Sequence, residues 1–301
     1  MMALTLPMQA QKVNLSLSAG TDGIGLDAGV SIGKVVNIRT GLTYIPEFTY
    51  NMRFGVQLSE DDGESIDENG EVIPSKFTRL STLLHEVSGI KMNDYVTMKG
   101  HPNMLNYKLL IDIHPIPQDR RWYLTTGFYL GSSTVAKAKN SMADEATLLC
   151  VSIYNTMYTK LQEEEPLFSY KDYDFYMDPD MGDKILNYGR MGMNIGTNED
   201  GSTYFMEPDA HSMVSARIKV NKFRPYLGFG FVDQLGKSER LQYGIDCGAL
   251  FWGGTPSVIT HEGVDLTKME HVNGRPGDYV ELIKKFKVYP IMSLKIAYRL
   301  F

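Results

Sequence analysis

The chain has little of what most specific chemistries require. Among 301 residues there are only two cysteines, Cys150 and Cys247. That excludes a disulfide framework and a cysteine-based metal centre. No run approaches the roughly 18 consecutive apolar residues of a membrane-spanning helix, so the chain has no such helix. Positive charge is in deficit, with 30 Lys and Arg against 36 Asp and Glu and a net charge of −6. A nucleic-acid binder needs a basic face, and this balance argues against one. The six histidines are scattered and form no metal-binding pair of the HExxH kind. We therefore expect no metal, no cofactor and no enzyme.

What the chain does have is 28 Gly, 18 Tyr and 13 Phe, and 43% hydrophobic residues. This is too apolar for disorder. It suits either a soluble β-rich domain or a transmembrane β-barrel, whose strands alternate lipid-facing and interior residues and so escape hydropathy averaging. Residues 1–10, mostly apolar and without Lys or Arg, read as a signal-peptide-like remnant. The mature protein is expected to start near Gln11, as a single domain over 11–301.

Period-two alternation recurs along the chain. Ile24, Leu26, Ala28, Val30 and Ile32 alternate with Gly25, Asp27, Gly29 and Ser31, followed by a turn at Gly33-Lys34. Val36, Ile38, Thr40, Leu42 and Tyr44 alternate with Asn37, Arg39, Gly41 and Thr43. The same pattern runs through 105–114, 122–130, 214–220, 225–232, 241–252 and 292–300. Strands of this length cross a bilayer at a tilt. Short turns (33–34, 115–121, 233–239) alternate with long segments (about 59–103, 134–210 and 253–286). That asymmetry is typical of outer-membrane barrels. Counting strands at 13–19, 24–32, 35–57, 104–115, 121–132, 211–232, 240–252 and 288–301 gives eight. The count rises to ten or twelve if parts of 185–207 also pair. Helical spacing predicts helices in the long segments at 76–90, 142–162 and about 278–286. The stripe expected for the second is Leu148, Leu149, Ile153, Met157 and Leu161.

This phase assigns roles. The membrane-facing set is Ile24, Leu26, Leu42, Leu109, Leu124, Phe229, Ile245 and Leu294. The aromatic girdle is Tyr44, Tyr107, Trp122, Tyr243, Phe251, Trp252 and Tyr298. The interior charges are Asp27, Arg39, Lys108, Asp112, Arg217, Lys219, Asp246, Lys295 and Arg299. Three acids against six bases predict a net basic lumen. Eight strands leave an interior that side chains can fill, so a structural ion-pair network is the expected role. A narrow path for small anions is the alternative.

The final stretch, KFKVYPIMSLKIAYRLF, resembles the terminal strand of outer-membrane β-barrels, with Tyr298, Leu300 and Phe301 as its assembly signal. Phe301 departs from the pattern by standing one residue out of phase. With GIGLDAGVSIGKVVNIRTGLTY, NYKLLIDIHPI, RRWYLTTGFYLG, FRPYLGFGFV and GIDCGALFWGGTP, the chain resembles a group of uncharacterised small porin-like outer-membrane proteins of the Bacteroidetes type, with an OmpA-like barrel. The resemblance implies an all-β, antiparallel up-and-down transmembrane barrel in the outer membrane of a Gram-negative bacterium. It also implies lipid bilayer and lipopolysaccharide as surroundings, and the barrel-assembly machinery as partner during biogenesis. It supplies no catalytic residues. The expected function is a structural or surface-interaction barrel with a filled lumen and an extracellular ligand of unknown kind. The rivals are a narrow porin, a lipid-modifying outer-membrane enzyme and a soluble barrel that binds a ligand inside.

Overall fold

The computed structural model describes residues 12–61, 63–116, 118–238 and 240–300. The signal-peptide-like stretch 1–10 and the terminal Phe301 lie outside them. Eight strands form one closed antiparallel barrel: β1 (Lys12–Gly20), β2 (Gly23–Ile32), β3 (Val36–Ile45), β4 (Met104–Ile113), β5 (Trp122–Gly131), β6 (Phe223–Gln234), β7 (Leu241–Phe251) and β8 (Val288–Arg299). Each pairs with its sequence neighbour, and β8 closes on β1, with Ala297 opposite Ser16 and Lys295 opposite Ser18. Closure leaves no unpaired sheet edge. The β2–β3 turn needs Gly33, whose φ of +64° a side chain would disfavour.

Inside and outside follow the pleat. Leu26, Leu42, Leu124, Phe229, Ile245 and Leu294 stand exposed on the outer wall, while Asp27, Arg39, Lys108, Asp112 and Asp246 are buried within. Leu109 also faces out, half covered by its neighbours.

The long segments do more than carry helices. They assemble a second sheet above one end of the barrel, here called the mouth. Its core order is 50–58, 95–102, 134–140, 215–219 and 257–260, extended from 50–58 by 191–197 and 203–206, with 271–272 also on 191–197. The first four continue β3, lead into β4, continue β5 and lead into β6, so this cap sheet keeps the neighbour order of the wall below. Residues 46–49 and Asn103 interrupt the ladder between the two sheets. Pro46 opens the first gap and Pro102 precedes the second, and neither can donate to a ladder. Two expected strands are thereby corrected. Residues 35–57 and 211–232 are each two strands, one in the wall and one in the cap. Parts of 185–207 do pair, but in the cap, and the barrel stays at eight.

Helix α1 (Lys76–Ser88) starts where the Ser75 side chain accepts a hydrogen bond from the Thr78 amide, and stops at left-handed Gly89. Helices α2 (Glu145–Gln162), α3 (Pro179–Tyr188) and α4 (Gly274–Lys285) complete the cap. A dry core gathers Val56, Leu58, Val96, Met98, Leu148, Val151, Tyr154, Met191, Met193 and Ile195. The α2 stripe differs from expectation: Leu148, Val151 and Tyr154 face inward, while Leu149 and Ile153 are exposed. Both sets of positions recur at helical spacing, and only the position of the sheet selects between them.

Candidate functional site: the barrel lumen

The lumen holds a continuous polar network. The Arg39 guanidinium lies 2.7 Å from Asp112 and 3.1 Å from Asp246. Lys295 stands 3.3 Å from Asp246 and donates to the Tyr123 hydroxyl at 2.5 Å, which donates in turn to Asp246 at 2.7 Å. Asn37 and Thr125 donate to Asp112, each at 2.9 Å. One level nearer the mouth, Lys108 pairs with Asp27 at 3.0 Å. Tyr129, Tyr226, Leu110, Leu250 and Ile291 pack together inside the lumen as an aromatic and apolar cluster. Interior tyrosines need space on the facing strand. An added Cβ at Gly230 would stand in the Tyr123 ring, and Gly228 and Gly248 make room for Tyr226 in the same way.

Six of the nine residues placed inside from sequence meet here: Asp27, Arg39, Lys108, Asp112, Asp246 and Lys295. Arg299 lies at the short-turn rim of the lumen. Arg217 and Lys219 do not belong to the lumen; their strand, Ser215–Lys219, is in the cap sheet between 134–140 and 257–260. The expected six-to-three excess of base therefore becomes three bases and three acids in the filled core. Trp252 is a second correction. It is 7% exposed and packs at the mouth against Tyr289, with the Arg224 guanidinium over its ring at 5.5 Å. The other girdle residues, Tyr44, Tyr107, Trp122, Tyr243, Phe251 and Tyr298, are exposed on the outer wall. Leu300 donates its amide to Val13 at 2.8 Å, extending the β8–β1 seam.

Several interior residues are missing from the sequence reading. Tyr123, Tyr129 and Tyr226 share the interior phase but carry no formal charge. Asp22, at the β1–β2 turn, is 2% exposed and accepts from the Tyr129 hydroxyl at 3.4 Å. Burial raises its carboxyl above the usual range. Arg224 is fully buried with no carboxylate partner among the described residues. It donates to the Asn106 side chain at 2.7 Å, the Asn221 carbonyl at 2.7 Å and the Ser132 carbonyl. Asn221 and Ser132 sit in the gaps between wall and cap, so Arg224 ties the two sheets together. Extending the β6 phase from Tyr226 back by two residues identifies it. Arg224→Met is expected to strand three acceptors, at about 1–3 kcal/mol for each left buried. The readout is an earlier loss of buried Trp252 fluorescence on heating or in urea.

At the short-turn end the lumen opens as a cavity of about 360 Å³. Ser31, His114 and Asp112 all line it. Ser31 stands at the centre of the string Gly29-Val30-Ser31-Ile32-Gly33, which has the GxSxG spacing of hydrolase nucleophiles. The strand–turn–helix setting of such a nucleophile is absent, because Gly33 leads into β3. The Ser31 hydroxyl instead contacts Asn37 at 3.4 Å, Asp112 is engaged by Arg39, Asn37 and Thr125, and no hydrogen bond joins His114 to either. The base and nucleophile contacts of a triad are not formed.

No family model and no curated protein matches the chain. Among solved structures, the chain is similar to CarO2 of Acinetobacter baumannii, with 14% identity, a TM-score of 0.42, and coverage of 97% of this chain and 100% of that one. It is similar to CarO of the same organism at 12% identity and a TM-score of 0.42, covering 96% and 97%. A major outer membrane protein from Thermus thermophilus follows at 14% identity and a TM-score of 0.30, covering 97% and 100%.

Proposed function

We propose that the chain is an outer-membrane β-barrel of the structural or surface-interaction type, closed in its lumen, with a folded extracellular cap that meets a partner. The observation that carries this reading is an inverted distribution of polarity. Charge and hydroxyl groups fill the inside of the barrel, and a continuous apolar band covers the outside. A monomer in water rarely exposes such a surface, whereas a bilayer is its natural complement. Trp122, Tyr243 and Tyr298 stand at the short-turn end of the band and Tyr44, Tyr107 and Phe251 at the mouth end, as two interfacial belts would. On this reading the short turns face the periplasm, and lipid and lipopolysaccharide surround the wall. The β8 end, through Tyr298, Leu300 and Phe301, addresses the assembly machinery.

The cap supports the interaction role. A hairpin of Phe168–Tyr170 and Tyr173–Phe175 carries four exposed aromatic rings, from 44% at Phe175 to 71% at Tyr173, and two of them, Phe168 and Phe175, stack 4.6 Å apart. Aromatic side chains displayed this way are common anchors of binding surfaces. The porin alternative rested on excess base inside; against it, Arg39, Lys108 and Lys295 are paired at the centre of the lumen.

The test is migration of unboiled against boiled protein on a gel, with bilayer recordings alongside. A shift on boiling and silent bilayers are expected. Solubility of refolded residues 11–301 without detergent would sink the membrane reading, and steady single-channel conductance would replace a closed lumen with a pore.

A further inference from the structure

The cavity at the short-turn end carries more positive charge than the network behind it uses. Six cations line it: Lys12, Arg39, Arg120, Arg121, Lys295 and Arg299. Three carboxylates line it with them: Asp112, Asp119 and Asp233. Arg39 is committed to Asp112 and Asp246, and Lys295 to Asp246 and Tyr123. Arg121 is gripped through two nitrogens by Asp119, at 2.8 and 2.9 Å, with Asp233 3.9 Å away. That grip holds the Asp119 carboxyl down at about 2. Asp112 and Asp119 are thus engaged, while Asp233 accepts the Gln234 amide at 2.8 Å and has no closer cation than Arg121. Lys12, Arg120 and Arg299 are left without an acidic partner among the described residues.

Two polar atoms in the same cavity are also unanswered. His114 is 7% exposed, and its Nδ1 has no hydrogen-bond partner. The Nε of Arg120 is likewise buried and unpartnered. A buried polar atom without a partner is unfavourable until something bonds to it. The two belong to one short turn, and the Arg120 charge acts directly on the His114 imidazole, lowering its proton affinity alongside burial. Low-dielectric walls around a surplus of like charge focus the field into the cavity. The guanidinium fork matches the oxygens of phosphate in a bidentate way. The volume is roughly ten times the share of one water molecule, enough for a phosphate with a small organic group.

We propose that this cavity is a binding site for a small phosphate-bearing anion, held by Arg120, Arg299 and Lys12, with His114 Nδ1 as a further contact. The site is a dead end, because the Arg39 network closes the lumen behind it, so the ligand binds and leaves by the same opening. The proposed site depends on the barrel geometry alone and not on the membrane location or the surface role of the cap.

The test uses the full chain folded in detergent micelles. Inorganic phosphate, glycerol 3-phosphate and acetate are titrated separately at constant ionic strength in chloride, following the His114 ring by NMR and heat by calorimetry. Saturable binding of phosphate or its ester is expected, with acetate at least tenfold weaker. Tighter binding of the ester identifies an organic phosphate, and tighter binding of inorganic phosphate a free anion; either supports the site. Arg120→Gln and Arg299→Gln should each weaken binding at least tenfold. Arg121→Gln, whose guanidinium is already held by Asp119, should change it less than twofold. Retained heat-shifted migration shows that each variant has folded. Absence of saturation, equal affinity for acetate, or wild-type affinity in both Arg120→Gln and Arg299→Gln overturns the proposal.

Discussion

Arg39→Met is expected to destabilise the barrel by about 3–5 kcal/mol, the cost of leaving one member of a buried ion pair without its partner. Arg39 is central because it serves two carboxylates, Asp112 at 2.7 Å and Asp246 at 3.1 Å, and all three side chains are buried. Without the guanidinium, Asp112 keeps only Asn37 and Thr125, and Asp246 keeps Tyr123 and Lys295. Methionine fills similar volume, so a cavity contributes little to the loss. The decisive comparison is the double variant Arg39→Met, Asp112→Asn, which leaves Asp246 paired with Lys295. It removes one buried charge of each sign and should recover most of the stability, since a buried ion pair is often no more stable than neutral groups of the same shape. Urea unfolding in micelles or lipid, read by gel mobility, measures both. A double variant as unstable as the single one would show that shape, and not unpaired charge, dominates.

Leu148→Ala should act on the other half of the molecule. Leu148 is 0% exposed in α2, within the cap core. Truncating a buried leucine costs about 2–5 kcal/mol, more where the surroundings cannot collapse. The cap core consists of Val56, Leu58, Met98, Met191 and Met193 on one sheet, with α2 over it. Among the described residues the wall strands contribute no side chain to that cluster and are held by their own closed ladder, with Ile218 of the cap packing against both it and the mouth cluster. We expect limited proteolysis to cut within 134–210 in the variant while the boiled and unboiled gel shift persists. Simultaneous loss of the shift would mean that wall and cap unfold as one unit. The ties through Arg224 would then be stronger than the gaps at 46–49 and Asn103 suggest.

The positions of the wall strands were readable because a pleated strand sends alternate side chains to opposite faces. Apolar residues at alternate positions from Ile24 to Ile32 and from Leu105 to Ile113 sufficed. The interior charges of β2, β3, β4, β7 and β8 followed from the same phase. The misplacement of Arg217 and Lys219 had a visible warning. The apolar set runs on even positions from Val214 to Val220 and on odd positions from Leu227 to Phe231. A slip of phase inside one assumed strand marks an interruption, and the chain does leave the ladder between Lys219 and Phe223. Between β3 and 50–58 no slip occurs, and Pro46 is the only local sign. Trp252 was placed in the girdle as an aromatic beside Phe251 near a strand end, although the β7 phase puts position 252 inward; the strand has ended there and the ring turns onto Tyr289.

Alternation, length and turn spacing determined that this protein is a closed antiparallel barrel of about eight strands, which residues face out, and which charges meet inside. Those properties are local, because each depends only on neighbours along one strand. Which strands leave the wall for a second sheet, and which charges remain unpaired, was decided only by the tertiary structure. Both depend on partners far apart in sequence, as Arg39 and Asp246 are, or 191–197 and 50–58. The clearest case is the basic surplus. Strand phase located it throughout the lumen, whereas pairing across the barrel neutralises the centre and leaves Lys12, Arg120 and Arg299 at the short-turn rim.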